Sequence, residues 1–381
     1  MLTKAKILII TNRSLASAPR VIREIAALKS DFEVTVYGEG KLVDSDIRTY
    51  DFNKELEVPF FDKVLRKLIL AVKRKPTIYL LPFLYLKLKK ILKKEQPDIV
   101  IIHEPDWLVY LKTLKSKLGF KVTLNAHEYY PLEFEDRPGW METMGKYYDK
   151  LYDKYLHEAD LLINVCDSIR NKCIEVYNKD SIVIPNAASF YENIKVIKTE
   201  AGNPIRMIHH GSSIRERRLE IMIEAVEGLG SGYQLDLMLV DTDKNYHKEL
   251  EKRVIESSNV RIVSPVPFNQ IVPFLNQYDV GVFNLPPNNF NYKVALPNKL
   301  FEFIQARLAI LISPSIEMKK IVEQYDLGYI TQGFSAADFR TATVGLNADK
   351  INKFKENAHS SAGKLSAECY NQQLLIAFKS F

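Results

Sequence analysis

Short apolar runs alternate with amphipathic stretches from one end of the chain to the other. Residues 6–11 (KILIIT), 34–38 (VTVYG), 99–104 (IVIIHE), 121–126 (KVTLNA), 161–165 (LLINV) and 182–186 (IVIPN) are rich in Ile and Val with little polar alternation. A strand covered on both faces needs such a run, so these six read as buried parallel strands. Between them the apolar spacing lengthens to a helical period. In 19–30 (PRVIREIAALKS) the pattern places Val21, Ile22, Ile25, Ala26 and Leu28 on one face. Pro19 suits a first helical turn, where its missing N–H would have no partner anyway.

A second series follows at 205–211 (IRMIHHG), 235–240 (LDLMLV), 260–264 (VRIVS), 280–284 (VGVFN), 309–313 (AILIS) and 328–331 (GYIT), again separated by helical segments such as 217–229. Two successive β/α arrays imply an α/β protein with two doubly wound, Rossmann-like domains facing a central cleft. Periodicity stops over 187–203, which sets the expected domains at 1–190 and 200–364. A C-terminal helix over about 365–381 is expected to pack back on the first domain. Ligands in open α/β sheets bind beyond the carboxyl ends of strands. The candidate positions are therefore 11–13, 103–106, 127–130, 211–218, Asp241, Asn284 and Ser313.

Composition narrows the class. With 46% hydrophobic and 26% charged residues the chain is neither disordered nor fibrous. Cys166, Cys173 and Cys369 provide neither a disulfide framework nor a Cys-x-x-Cys metal pattern, which fits a reducing, cytoplasmic setting. The N-terminal run reads as a first strand rather than a signal peptide. The longest nearly uncharged run, 78–86, is nine residues and holds Pro82, short of the roughly 20 that span a bilayer.

The net charge of +6 is unevenly spread. Residues 63–94 hold eleven Lys or Arg and no acid, interleaved with Leu, Ile, Phe and Tyr. This stretch is expected to lie against an anionic membrane surface, placing the protein peripherally on the inner face of the membrane. Little else in the sequence suggests nucleic acid as a partner.

Four motifs carry chemistry. The loop 11–24 lacks Gly-x-Gly-x-x-Gly but gathers Arg13, Arg20 and Arg23 at a strand-to-helix turn, a setting that binds anions. His127 and Glu128 follow a strand in 124–131 (LNAHEYYP), with two tyrosines that offer a sugar a stacking face. A second His-Glu pair follows the strand in 101–107 (IIHEPDW). In 209–220 (HHGSSIRERRLE), Gly211 admits a ligand close to the backbone and Ser212 and Ser213 offer hydroxyls. Helical geometry there would send Arg215 and Arg218 to one side and Arg217 elsewhere. In 294–306 (VALPNKLFEFIQA), Asn298 is a candidate helix cap, and Glu302, one turn in, can accept two ribose hydroxyls.

The ordered set PRVIRE, NAHEYYP, IPNA, HHGS…RRLE and ALPNKLFEFI followed by ILISP resembles the GT-B glycosyltransferases of the retaining family 4 type, from about residue 5 to 335. The resemblance implies a nucleotide-sugar donor bound mainly by the C-terminal domain and a lipid-linked or polysaccharide acceptor, in cell-surface glycan synthesis. It assigns the diphosphate to Arg218 and Arg215, the ribose to Glu302 and the donor sugar's surroundings to His127. Gly211, Ser212, Asp241, Asn298, Lys299 and Leu300 complete the implied donor site, with Arg13, Arg20 and Glu128 toward the acceptor. No metal or other cofactor is expected, although Asp241-Thr242-Asp243 has metal-ligand spacing. Family members often carry Glu-x7-Glu; here the first position is Val294. Two other readings stay open: a nucleotide-sugar epimerase on the same fold, and a non-catalytic binding protein on this scaffold.

Overall fold

Seven parallel strands form the first sheet: β1 (Lys6–Ser14), β2 (Glu33–Glu39), β3 (Arg48–Asp51), β4 (Ile99–Ile102), β5 (Lys121–Asn125), β6 (Leu161–Asn164) and β7 (Ile182–Val183), in spatial order β3-β2-β1-β4-β5-β6-β7. Six form the second: β8 (Ile205–Ser212), β9 (Tyr233–Val240), β10 (Val260–Val263), β11 (Val280–Phe283), β12 (Ala309–Ile312) and β13 (Gly328–Ile330), in order β10-β9-β8-β11-β12-β13. The computed structural model describes residues 4–15, 18–42, 46–51 and 82–381. The chain divides into two units, Met1–Pro185 with Asn371–Phe381, and Asn186–Tyr370.

All twelve expected runs are strands. β3 is an addition: of its four residues Arg-Thr-Tyr-Asp only Tyr50 is buried, so an edge strand left no apolar run to read. The centre of the first sheet is almost wholly aliphatic, with Ile7 to Ile10 registered against Ile99 to Ile102 and all eight buried. In each sheet the strand order reverses at the first strand, between β1 and β4 and between β8 and β11. Crossovers leave the sheet in opposite directions there, and a crevice opens beyond the carboxyl ends.

The helix Pro19–Leu28 forms as expected, but its buried face is rotated. Arg20, Val21, Glu24, Ile25 and Leu28 are buried, whereas Ile22 is 43% exposed and Ala26 is exposed. The carboxylate of Glu24 takes the inward position because polar partners wait for it below. The C-terminal helix Ala367–Lys379 meets the first unit through its end. Phe378 sets its ring edge-on to Phe32 at 6.2 Å, and Lys379 pairs with Asp31 at 2.7 Å.

The basic stretch is only partly described, since residues 63–81 lie outside the described residues. Its last part is the helix Pro82–Glu95, which buries Leu88, Ile91 and Leu92. Each contributes about 1.5–3 kcal/mol to the core, so these apolar groups are committed to the fold rather than to a bilayer. Lys90 and Lys93 stay exposed beside Leu86, which is 60% exposed, whereas Lys94 lies over the Tyr50 ring. Among the described residues no helix is long and apolar enough to cross a membrane.

In the second sheet Gly281 lets the helix Asn298–Gln305 lie close to β11. A Cβ at Gly281 would fall 2.4 Å from the buried Phe303 ring, so any side chain there pushes the helix outward. Gly281→Ala is expected to destabilise the protein by about 1–3 kcal/mol through overpacking. Denaturant unfolding reads this directly, and an unchanged midpoint would show that the helix is free to move away.

Candidate functional site

Each unit gathers polar side chains at the switch point of its own sheet. In the second unit β8 ends in His209, His210, Gly211 and Ser212. Gly211 has φ +132°, a conformation L side chains rarely adopt, and a Cβ there would lie 3.4 Å from Lys299 Nζ and 3.7 Å from an Arg217 guanidinium nitrogen. The backbone of Gly211 is thus flanked by two cations.

Lys299 is the unusual one. It is 6% exposed, yet its ammonium forms no ion pair among the described residues. Its neighbours are His209 Nε2 at 3.3 Å and the face of Phe283, whose centroid is 3.9 Å away. Burial, reinforced by the nearby Arg217 charge and only partly opposed by Glu302, holds its pKa well below the ordinary lysine range. It also sits in the first turn of its helix, where no acidic residue accompanies it and a cation opposes the helix dipole. The Arg217 guanidinium makes no hydrogen bond or ion pair among the described residues either. Two cations and a helix N-terminus converging on a glycine form an anion cradle.

The structure brings Arg217, rather than Arg215 or Arg218, to this cradle. Residues Arg215–Arg217 form a 3-10 turn and Arg218 follows with φ +50°, so helical spacing does not apply. Arg215 is held away by a two-pronged pair with Glu249 at 2.7 and 2.8 Å and by the Tyr246 ring. Arg218 is exposed beside Glu220.

Glu302 is 5% exposed with its carboxylate 3.3 Å from His210 Nε2. Burial, with Lys299 adding to it, drives His210 down to about 3, so the ring is neutral at physiological pH. Asn298 is the first residue of its helix and makes no capping bond; Pro297 holds the cap position, contrary to the expectation. Leu300 is buried core. Asp241 is exposed, and Asp243 caps the helix Lys244–Ile255 by accepting from the Tyr246 N–H at 3.0 Å. Among the described residues no group of three or more His, Cys, Asp or Glu is placed to hold a metal ion. Val294 is 2% exposed, a buried packing residue where the motif's first glutamate would stand.

In the first unit a polar chain runs beneath the ends of β1, β4 and β5. Glu24 accepts from Asn125 Nδ2 at 2.7 Å and lies 3.0 Å from His103 Nε2; His103 Nδ1 lies 2.8 Å from His127 Nε2. Arg20 donates to the Asn125 side-chain oxygen. Burial lowers Arg20 to about 10, and it serves this chain rather than standing open to an acceptor. Arg13 is exposed at the end of β1, while Glu128 is half-buried. Burial, helped by Arg20, holds His127 well below the ordinary histidine range.

Glu104 ties the ends of β1 and β4 together, accepting from the Thr11 hydroxyl at 3.1 Å and the Asn12 N–H at 2.9 Å. Asp106 is 4% exposed and accepts from Tyr147 at 2.9 Å. The sequence reading singles out His103, in the second His-Glu pair, but not Glu24, which lies inside a helix pattern.

Residues 20–189 match the family model Glycosyltransferase Family 4. That segment, somewhat under half of the chain, is similar to a family 4 glycosyltransferase domain. Solved structures extend the likeness over both sheets. Sucrose-phosphate synthase from Thermosynechococcus elongatus superposes with TM-score 0.75 at 12% identity over 99% of both chains. Anabaena HepE, in complex with UDP and glucose, gives 0.71 at 15% identity, covering 99% of this chain and 100% of that one. The lipopolysaccharide outer core galactosyltransferase WaaB gives 0.66 at 12% identity, covering 98% and 99%. These likenesses show the GT-B fold for this chain. No curated protein sequence matches it.

Asp106 yields a pH prediction. Burial raises its carboxyl to about 6 against an ordinary 3.8, with the tyrosine bond opposing. The folded state therefore binds the proton more tightly than the unfolded state. Stability from this group is present at low pH and is lost as pH rises from about 4 to about 6. Asp106→Asn removes that loss. Thermal unfolding from pH 4 to pH 7 is expected to show the Asn variant gaining on the parent by on the order of 2–3 kcal/mol; a constant difference would contradict the raised carboxyl.

Proposed function

We propose that this glycosyltransferase takes a sugar from a nucleotide-sugar donor, with its second unit holding the diphosphate at Gly211, Arg217 and Lys299. The observation that carries this reading is Lys299, a buried amine with no ion-pair partner among the described residues, beside Arg217, whose charge disfavours its own. A bound diphosphate supplies the missing negative charge. The HepE neighbour's complex with UDP and glucose supports it. Glu302 then accepts the ribose hydroxyls, and His127 is the first unit's candidate for a hydrogen bond to a sugar hydroxyl.

Breaking the glycosyl–phosphate bond leaves growing negative charge on the diphosphate. Preset Lys and Arg donors stabilise that charge more in the transition state than in the ground state, and this difference accelerates the reaction. For transfer with retention, the departing phosphate oxygen would take the acceptor's proton on the same face. The acceptor in this reading is a lipid-linked or polysaccharide glycan of the cell surface, in line with the lipopolysaccharide galactosyltransferase among its structural neighbours.

Lys299→Gln and Arg217→Ala are each expected to weaken binding of UDP, or of whichever nucleoside diphosphate raises the melting temperature, by roughly 10- to 150-fold. That range matches a charge-assisted hydrogen bond of about 1.5–3 kcal/mol. Arg218→Ala is expected to leave affinity within about threefold, because a solvent-exposed pair is worth little. Titration calorimetry decides; equal losses at Arg217 and Arg218 would displace the cradle.

A lipid-borne acceptor also calls for a peripheral position at the inner face of the membrane. The outward side of the helix Pro82–Glu95 supplies Lys90 and Lys93 around Leu86. Each such cation contributes about 1 kcal/mol at an anionic surface. Lys90→Gln with Lys93→Gln is expected to reduce flotation with anionic vesicles at low salt. Equal flotation with neutral lipid would remove the membrane from this reading.

A further inference from the structure

We propose that Glu24, acting through His103, locks His127 in its Nε2–H tautomer, so that His127 presents a bare Nδ1 as hydrogen-bond acceptor for a substrate hydroxyl. The second half rests on the reading of His127 as a substrate-facing residue; the first half does not.

The direction of the chain follows from which atoms can only donate or only accept. Arg20 has donors only, so the Asn125 side chain turns its oxygen to Arg20 and its amide nitrogen to Glu24. A carboxylate accepts only, so Glu24 takes one hydrogen from Asn125 and one from His103 Nε2. Glu24 and His103 are 4% and 0% exposed, and water cannot replace either bond. With its proton on Nε2, neutral His103 has a lone pair on Nδ1. The nitrogen 2.8 Å away, His127 Nε2, must then carry the hydrogen. Nδ1 of His127 has no partner among the described residues, and it keeps the lone pair.

The competing arrangement has His103 doubly protonated and donating to both sides. It adds a second positive charge to a buried network in which one guanidinium, Arg20, and one carboxylate, Glu24, already balance, and a net desolvated charge there is costly. The backbone adds support, since Tyr130 donates to the His103 carbonyl at 3.0 Å and holds this strand end in place.

Glu24 and His103 are positioning residues in this account. A Gln at position 24 cannot satisfy the chain. Its amide nitrogen must face either the His103 Nε2–H or the Asn125 amide, and turning Asn125 over would set its amide against Arg20. The mismatch must be absorbed by a change of histidine tautomer.

Long-range ¹H–¹⁵N NMR of the histidine rings in the full chain tests this near neutral pH, with the His127 signals assigned by their loss in His127→Gln. The expected result is the Nε2–H form for His127 in the parent and its loss in Glu24→Gln. An Nδ1–H or doubly protonated His127 in the parent overturns the proposal, and that measurement needs no variant to fold. An unchanged tautomer in a folded Glu24→Gln overturns the role of Glu24. With UDP-glucose as probe, kcat of Glu24→Gln is expected to fall about tenfold with KM nearly constant, the size of one misdirected hydrogen bond. A rise in KM at constant kcat contradicts it. Absence of sugar transfer from any nucleotide sugar, with the tautomer as expected, would fail the proposed function and leave the relay standing.

Discussion

A parallel sheet cannot be closed by tight turns. Each strand must be followed by a crossover, and every residue just beyond a strand lands on the same edge. That constraint assembles both polar clusters. Glu24 is carried by the helix after β1, His103 by the end of β4, and Asn125 and His127 by the end of β5 and the loop behind it. Residues about a hundred positions apart in sequence meet at hydrogen-bond distance because the strand order reverses between β1 and β4. In the second sheet the same reversal sets Gly211 of β8 beside Lys299, from a helix almost ninety residues later.

The two clusters solve opposite electrostatic problems. In the first unit Glu24 accepts from Asn125 and faces His103 Nε2, while Arg20 donates to Asn125, so one carboxylate closes the network and burial is tolerated. In the second, Lys299 and Arg217 flank Gly211 with no ion pair to either among the described residues, and the proposed diphosphate would supply the missing negative charge. A closed network holds a side chain still; an open one binds. A glycosyltransferase has use for both, since a departing diphosphate needs preset charge and a sugar needs fixed hydrogen-bonding groups.

Much of the fold was legible because buried parallel strands leave apolar runs that few other elements produce. β3 escaped, since an edge strand with one buried residue leaves no run. The helix 19–28 was placed correctly but turned wrongly. Positions 21, 24, 25 and 28 form its inward stripe, and the acid at 24 in that stripe was the signal of a buried partner. Arg217 was passed over for Arg218 because a 3-10 turn and a left-handed residue replace the helix that the i, i+3 spacing assumed. The basic stretch read as one unit because sequence shows charge but not burial; in its last part Leu88, Ile91 and Leu92 face inward.

The claim on which the account turns is that Lys299 and Arg217 are built for a diphosphate. A crystal structure of the chain with bound UDP tests it most directly. The account predicts phosphate oxygens within hydrogen-bond distance of Lys299 Nζ and the Arg217 guanidinium, against the backbone of Gly211. A diphosphate held by Arg215 and Arg218, with Lys299 facing no phosphate, would contradict it.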